Sequence, residues 1–231
     1  PNGNAKRKYK PVLLFHNIQT IINQNENKIN NDKYKLGTFY KFPFHLYKLE
    51  NWDVEHINSY TYNEENDMET QKEWLTNIFL GVSKSIQMLI QKYFEVKSDP
   101  EREDIFNKIK ANVPQPDRWE QEEKNSLCNY TLLDASTNRS YGNAIFSAKR
   151  RIIISKDRGI LIPIPKLSKD QKQFILEKEE KTTSSFVPPC TKHVFMKYYS
   201  PMTGDNNYWT KSPDAEAYIE DIMKCIEKLE E

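Results

Sequence analysis

Apolar residues along this chain recur mostly with the spacing of a helix. Residues 12–22 form an apolar run whose length favours a helix over a strand. A shorter helix is predicted over 101–111, and a last one begins near 212–214, where Ser-Pro-Asp suits a helix start. The clearest stripe, over 74–93, steps by three or four residues through Trp74, Ile78, Val82, Ile86, Leu89 and Tyr93. An apolar stripe of this length predicts a helix that packs against the rest of the protein.

Short strands are predicted between these helices. Residues 52–57 and 125–133 have the composition of strands or extended segments, and the β-branched residues 151–155 also indicate a strand. We predict a helix from Asn138 to Lys149, and an exposed helix and loop over the charged residues 167–184. The pattern predicts an α+β fold that is mainly helical.

The polar segments divide the chain into parts of different character. Residues 50–60 and 125–151 carry the residues that can do chemistry, and the helical segment 61–124 separates them as an insertion. Residues 185–231 form a C-terminal subregion. The chain begins with a polar segment and without Met, so we expect a single domain, 1–231, from the C-terminal part of a longer protein.

Composition indicates a folded protein but does not identify its binding partner. An aromatic content of 12% argues against disorder, and the net charge of +1 neither demands nor excludes nucleic acid. A local basic run over 148–158 is what phosphate contact would need, although a solvated surface explains it equally well. The three cysteines are widely spaced with no CxxC, which excludes a four-cysteine zinc site and favours a reducing cytoplasm. The sequence contains no membrane-length apolar stretch.

Three short motifs carry the candidate chemistry. They are Trp-Asp-Val-Glu-His-Ile at 52–57, Asn-Tyr-Thr-Leu-Leu at 129–133 and Thr-Asn-Arg at 137–139, with Asn138 nine positions after Asn129. This order resembles the HNH nucleases, also called ββα-metal or His-Me finger nucleases. In those proteins an acid-His pair ends the first strand, an Asn opens the second, and a His or Asn lies at the start of the helix.

A longer stretch of sequence narrows the resemblance. NYTLLDASTNRSYGNAIFSAKR, with WDVEHI before it and FVPPCTKHVFMKYYS after it, resembles the C-terminal nuclease region of GmrSD-type modification-dependent (type IV) restriction endonucleases over roughly residues 10–231. In that family a ParB-like, nucleotide-hydrolysing N-terminal domain reads modified phage DNA and the HNH domain cuts it. The resemblance implies a cytoplasmic antiviral restriction effector that nicks or cuts double-stranded DNA.

The resemblance also assigns roles to residues. His56 is the general base, Asn129 orients it, and Glu55 and Asn138 bind Mg²⁺ or Mn²⁺, for which carboxylate and amide oxygens are suitable ligands. Because adjacent strand residues point to opposite faces, Glu55 and His56 need a strand end or bend to converge. The plain alternatives are a surface carboxylate for Glu55, a turn for Asn129 and a helix cap for Asn138, with Asn143 as the other possible ligand.

Phosphate contact is assigned to Arg139, Lys149 and Arg150, with a solvated helix face as the alternative. Asp53 is expected to be a charge at the strand edge.

Other polar residues are expected to have structural roles. His16 and His45 are expected in the core and Cys190 as a buried thiol, while His193 is expected to pack beside the site.

The chain departs from the HNH pattern in two ways. Ser59 stands where many HNH proteins have proline, and the two motif halves lie unusually far apart.

The sequence is also compatible with a second class of function. An HNH-like fold can persist as a non-catalytic DNA-binding or protein-interaction module. The presence of Glu55, His56, Asn129 and Asn138 together favours the enzyme, because a decayed site would have lost at least one of them.

Overall fold

A computed structural model describes most of the chain, and its elements are helical apart from two small sheets. It describes residues 2–30, 40–59, 67–113, 119–141, 143–170, 173–178, 184–201 and 207–228. The helices are α1 (Asn2–Asn30), α2 (Phe44–Leu49), α3 (Met68–Ile78), α4 (Lys84–Glu95), α5 (Asp99–Asn112), α6 (Gln121–Lys124), α7 (Ala135–Tyr141), α8 (Phe146–Asp157), α9 (Pro189–Phe195) and α10 (Glu216–Glu227). The strands are β1 (Asp53–His56), β2 (Tyr130–Leu133), β3 (Pro163–Leu167) and β4 (Phe174–Lys178).

The sheets are two antiparallel pairs, β1 with β2 and β3 with β4. The predicted class, α+β and mainly helical, is therefore confirmed, and so is the helix predicted over 12–22, which forms the middle of α1. This helix contacts β1, β2, α9 and α10. The first sheet thus lies against the two terminal parts of the chain.

A shared hydrophobic core joins elements that are distant in sequence. Leu13 of α1, Val54 of β1, Ile90 of α4, Ile152 of α8 and Ile222 of α10 all belong to it, and each is at most 2% exposed. Burial of such side chains contributes on the order of 1.5–3 kcal/mol each. The insertion between the motif halves is therefore packed into the same core, as its apolar stripe predicts.

The stripe over 74–93 is not one helix. Helix α3 ends at Ile78, a 3-10 turn covers Phe79–Gly81, and α4 starts after Ser83, whose hydroxyl accepts from the Ile86 amide at 3.5 Å. The break coincides with a close approach of α8. A Cβ added to Gly81 would lie 2.8 Å from the Ala148 amide nitrogen and 2.2 Å from Ser147 Oγ.

Three predictions between 138 and 184 are wrong in detail. The helix expected from Asn138 to Lys149 is two helices, α7 and α8, and the β-branched residues 151–155 lie inside α8 rather than in a strand. Burial explains the second error, because Ile152 and Ile153 are nearly fully buried and tertiary packing overrides their strand propensity. The exposed helix expected within 167–184 is instead the β3–β4 hairpin, as far as this segment is described.

The close approach at Gly81 leads to a stability prediction. Gly81→Ala should lower the free energy of unfolding by about 1–3 kcal/mol, because the added methyl group meets the backbone of α8 and not only a movable side chain. Urea unfolding followed by circular dichroism measures the change. Lys84→Ala, an exposed position three residues later, is the control and should stay within about 0.5 kcal/mol of wild type. Equal stability of Gly81→Ala and wild type would contradict the close approach.

Candidate functional site

Strand pairing brings the two motif halves together. β1 runs antiparallel to β2, with Asp53 opposite Leu133 and His56 opposite Tyr130. The acid-His pair and the Asn-led strand are 73 positions apart when counted from His56 to Asn129. The sheet makes them neighbours, and α7 and α8 follow β2 directly in the chain.

Asn129 connects the backbones of both halves. Its carbonyl oxygen accepts from the Ile57 amide at 2.8 Å, and its side-chain oxygen accepts from the Asn58 amide at 2.8 Å. Its side-chain nitrogen donates to the carbonyls of Asn58 at 2.9 Å and Lys124 at 3.0 Å. Asn129 is fully buried, so these bonds are shielded from water. The residue fixes the backbone that follows His56 rather than the imidazole itself.

The His56 ring is half-buried on one face of β1. It lies against its strand partner Tyr130, with ring centroids 4.5 Å apart and planes inclined by 39°. Its Nε2 is 3.4 Å from Oδ1 of Asn125, and this same oxygen accepts from the Tyr130 hydroxyl at 3.0 Å. Burial, together with the nearby Tyr9 and Glu55, raises the pKa of Tyr130, which keeps the hydroxyl protonated as a donor.

Asn125 and Tyr130 are contacts of His56 that the motif comparison does not single out. Tyr130 follows from the antiparallel register once the pairing is known, because paired residues point to the same face. Asn125 lies in the irregular segment before β2, where no periodic pattern predicts the direction of a side chain. The three positions between Asn125 and Asn129 form no recognisable motif in the sequence.

Glu55 occupies the opposite face of the same strand. It is 7% exposed, and its Oε1 lies 3.5 Å from Nζ of Lys149, a residue of α8 that is fully buried. The same ammonium donates to the backbone carbonyl of His56 at 2.7 Å. One lysine therefore joins both members of the acid-His pair to α8.

The three basic residues assigned to phosphate contact lie in different places. The structure places Lys149 in the interior, not on a surface that faces DNA, because its ammonium is used by Glu55 and His56. Arg150 is half-buried and donates from Nε to the carbonyl of Phe195 at 2.8 Å. The side chain of Arg139 lies outside the described residues, so its role stays a prediction.

Asn138 is the fourth residue of α7, not the start of α8. It is half-buried, and its amide donates to the carbonyl of Asp134 at 3.1 Å. Asp134 also accepts from the Thr137 amide at 2.9 Å and pairs with Lys156 of α8 at 2.6 Å, which fixes α7 against α8. The alternative ligand, Asn143, is exposed in the connection between these helices.

The donor chemistry of Glu55 and Asn138 fits a hard divalent cation. Both offer oxygen, the donor type that hard divalent cations prefer. Among the residues that the structure describes, the one group of three or more His, Cys, Asp or Glu side chains close enough to share an ion lies elsewhere, at His16, Asp221 and Cys225.

The histidines outside the motif differ in burial. His16 is fully buried as expected, whereas His45 is exposed on α2 and the prediction of a core residue there is wrong. His193 is half-buried and stacks on Tyr198 with ring centroids 4.5 Å apart, and burial lowers its pKa.

Two further residues are placed as expected. Cys190 is fully buried, which raises the pKa of its thiol, and Asp53 forms an exposed ion pair with Lys10 at 3.6 Å at the strand edge.

The loop that follows His56 also makes contact with the other motif half. Ser59, which stands where many HNH proteins have proline, donates to the carbonyl of Ala144 at 3.5 Å. This contact ties the end of the first half to the α7–α8 connection.

Comparison with known proteins identifies part of the chain. Residues 92–187 match the family model of the C-terminal domain of GmrSD restriction endonucleases. No curated protein and no solved structure matches the chain. No helix among the described residues is long and apolar enough to span a bilayer.

The matched segment includes β2, α7, α8 and the β3–β4 hairpin, and therefore Asn129, Asn138 and Lys149. Glu55 and His56 lie before it and enter the site through the pairing of β1 with β2. The match indicates a function of the restriction endonuclease type, that is, nuclease activity. The family resemblance seen in the sequence is confirmed as a match of residues 92–187 to the C-terminal domain of the GmrSD restriction endonucleases.

Proposed function

We propose that this chain is a metal-dependent DNA endonuclease of the HNH type, with His56 as the general base. The observation that carries the proposal is the antiparallel pairing of β1 with β2, in which Asn129 fixes the backbone just after His56. This pairing supplies the two strands of a ββα-metal site, and α7 and α8 supply helices directly after them. The family match supports a nuclease, and the geometry supports this particular chemistry.

The surroundings of His56 fit a base that accepts a proton at Nδ1. Oδ1 of Asn125 is an acceptor and faces Nε2, so it favours the tautomer that carries its proton on Nε2. The lone pair then lies on Nδ1. An unperturbed imidazole has a pKa of about 6.5 and is largely neutral at pH 7. Asn125 and Tyr130 are positioning residues in this scheme, because both act on the direction of the ring.

Glu55 and Asn138 are the proposed metal ligands. When bound, Mg²⁺ or Mn²⁺ would supply positive charge for the oxygens that become negative as the phosphodiester is hydrolysed. Lys149 has a supporting role here. The Glu55 carboxylate is only 7% exposed, and the buried Lys149 ammonium 3.5 Å from its Oε1 pairs with it in the interior.

The proposed substrate is double-stranded DNA, nicked or cut within a cytoplasmic antiviral restriction system. In that setting a ParB-like, nucleotide-hydrolysing domain would recognise the modified DNA and this chain would cut it. Arg139 is the basic residue we retain for phosphate contact. A non-catalytic DNA-binding or interaction module is the second candidate, and the variants below distinguish the two, because such a module binds DNA without needing His56.

Cleavage should require a divalent cation. The chain incubated with supercoiled plasmid and Mg²⁺ or Mn²⁺ should produce nicked or linear DNA, because the proposed ligands are oxygen atoms suited to hard ions. EDTA should stop the reaction, and excess Mg²⁺ added without any other metal should restore it. Agarose gels of the plasmid forms measure both steps. Undiminished cleavage in EDTA would rule out the metal mechanism.

His56→Ala should reduce the cleavage rate by about 10²–10⁴-fold, because the base that deprotonates water is lost. DNA affinity should change little, since the imidazole is not a phosphate contact in this scheme. His45→Ala, which removes an exposed histidine from α2, is the matched control and should cleave at the wild-type rate. The measurement is the initial rate together with fluorescence anisotropy of labelled DNA. Wild-type cleavage by His56→Ala would favour the non-catalytic module.

Asn138→Ala should raise the Mn²⁺ concentration needed for half-maximal cleavage by at least about tenfold, because a ligand is removed. Saturating Mn²⁺ should restore part of the rate. Asn143→Ala, an exposed asparagine five positions later, is the control and should leave the Mn²⁺ requirement unchanged. A titration of cleavage rate against Mn²⁺ compares the two. If only Asn143→Ala shifted the titration, the second ligand would be Asn143.

A further inference from the structure

A second group of potential metal ligands lies outside the candidate nuclease site, between the first and last helices. His16 of α1 and Asp221 and Cys225 of α10 each offer one ligand atom, and these atoms lie within 4.8 Å of one another. Asp221 and Cys225 are four residues apart on α10, which places them on one face of the helix. Nε2 of His16 is 2.7 Å from Oδ2 of Asp221.

The three donors differ from those of Glu55 and Asn138 in chemical type. An imidazole, a carboxylate and a thiol form a mixed set that includes soft sulfur, and such sets favour Zn²⁺ over Mg²⁺. His16 is fully buried and Cys225 is 5% exposed, so two of the donors are shielded from water. The Asp221 side chain is 40% exposed, which leaves a path for the ion and room for water as a fourth ligand.

The burial and the charges of this cluster favour the binding of a cation. Burial and the Asp221 charge raise the pKa of the Cys225 thiol. The buried Cys190 thiol lies beside the cluster, since the Thr20 hydroxyl is 3.2 Å from its sulfur and also hydrogen-bonds Cys225. Burial acts to raise the pKa of Asp221, but the hydrogen bond and charge of His16 lower it overall. A divalent cation would stabilise the carboxylate and a thiolate together.

A second observation concerns the ring of His16. Its Nδ1 is buried and has no hydrogen-bond partner in the structure. Buried polar atoms are normally satisfied, whereas this ring uses only Nε2, the nitrogen that faces Asp221 and that would bind the ion. The single strong contact of this imidazole is through Nε2 to Asp221. His16 is thus a buried histidine that hydrogen-bonds through one of its two ring nitrogens, and it lies next to a thiol and a carboxylate.

We propose that His16, Asp221 and Cys225 bind a structural zinc ion that fastens α1 to α10. The ion replaces the proton shared by His16 and Asp221, and the Cys225 thiol loses its proton on binding. Tetrahedral coordination at about 2.0–2.1 Å separates neighbouring N and O ligands by roughly 3.3 Å. The distance between His16 Nε2 and Asp221 Oδ2, which is 2.7 Å here, would therefore lengthen by about half an ångström when the ion binds. Because α1 contacts both strands of the first sheet, the ion would also stabilise the support of the nuclease site.

The test uses Co²⁺ as a spectroscopic probe for zinc. The full chain is stripped of metal with a chelator and titrated with Co²⁺. Thiolate ligation should produce a sulfur-to-cobalt charge-transfer band with tetrahedral ligand-field bands in the visible, saturating at about one equivalent. Zn²⁺ should displace Co²⁺ and raise the Tm of the stripped protein. Absence of the charge-transfer band in the wild-type chain would overturn the proposal.

Variants locate the ion. Cys225→Ser should abolish the charge-transfer band and weaken Zn²⁺ binding by more than about 100-fold, because losing a ligand costs more than the roughly 10–100-fold of losing a group that only hydrogen-bonds a ligand. Asp221→Asn, at a partly exposed position, provides a second variant and should weaken binding at least tenfold. Cys128→Ser, a thiol near Ser126 and outside the cluster, is the control and should keep the band. A Cys225→Ser protein that retained the band would place the thiolate elsewhere and refute the site.

Glu55→Gln separates this ion from the nuclease cation. It should leave the zinc stoichiometry and the cobalt spectrum unchanged while reducing Mg²⁺-dependent cleavage. Failure of the zinc test with intact Mg²⁺-dependent cleavage would refute this proposal alone. A positive zinc test with no cleavage would refute only the proposed nuclease function.

Discussion

The hydrogen bonds of Asn129 join two parts of the chain that the sequence keeps 73 residues apart. Both polar atoms of its amide are used on backbone groups, with Oδ1 on the Asn58 amide and Nδ2 on the carbonyls of Asn58 and Lys124. A buried amide that makes its hydrogen bonds to two backbone segments holds these segments at a fixed separation. Removal of either partner would leave a buried polar group without a hydrogen bond. The β1–β2 register, the position of His56 and the direction in which the chain enters the insertion all depend on this residue.

The candidate site uses both faces of one short strand. His56 points towards Tyr130 and Asn125, and the adjacent Glu55 points towards α8. From one position in the interior, the Lys149 ammonium reaches the Glu55 carboxylate and the backbone carbonyl of His56, which ties this strand to α8. A buried ion pair is a weak source of stability, but loss of one partner is costly because a charge is left unpaired. The pair therefore holds β1 against α8, which links the packing of the helices to the proposed metal ligand Glu55.

Several sequence predictions fail where packing outweighs local preference. The stripe over 74–93 keeps helical spacing throughout, yet the chain breaks at Gly81 because α8 approaches its backbone too closely for a side chain. Ile152 and Ile153 have strand propensity, yet they lie in α8 because that helix buries them. Lys149 belongs to a basic run that indicates a phosphate-binding surface, yet it is fully buried by its contacts with β1. For Gly81 and Lys149 the decisive partner lies more than sixty residues away in the sequence, beyond the reach of any local pattern.

The sequence by itself determined which chemical groups are present and in what order. Glu55 next to His56, Asn129 at the head of a strand and the family match over 92–187 all follow from residue identity and spacing. The helices predicted over 12–22, 101–111 and after Pro213 follow from periodicity, which is a property of neighbouring residues. Only the tertiary structure decided that Asn125 and Tyr130 contact the imidazole, that Lys149 pairs with Glu55, and that His16 meets Asp221 and Cys225. Those contacts depend on how separate elements pack, and the free energy of packing is set by pairs of residues that the linear pattern does not bring together.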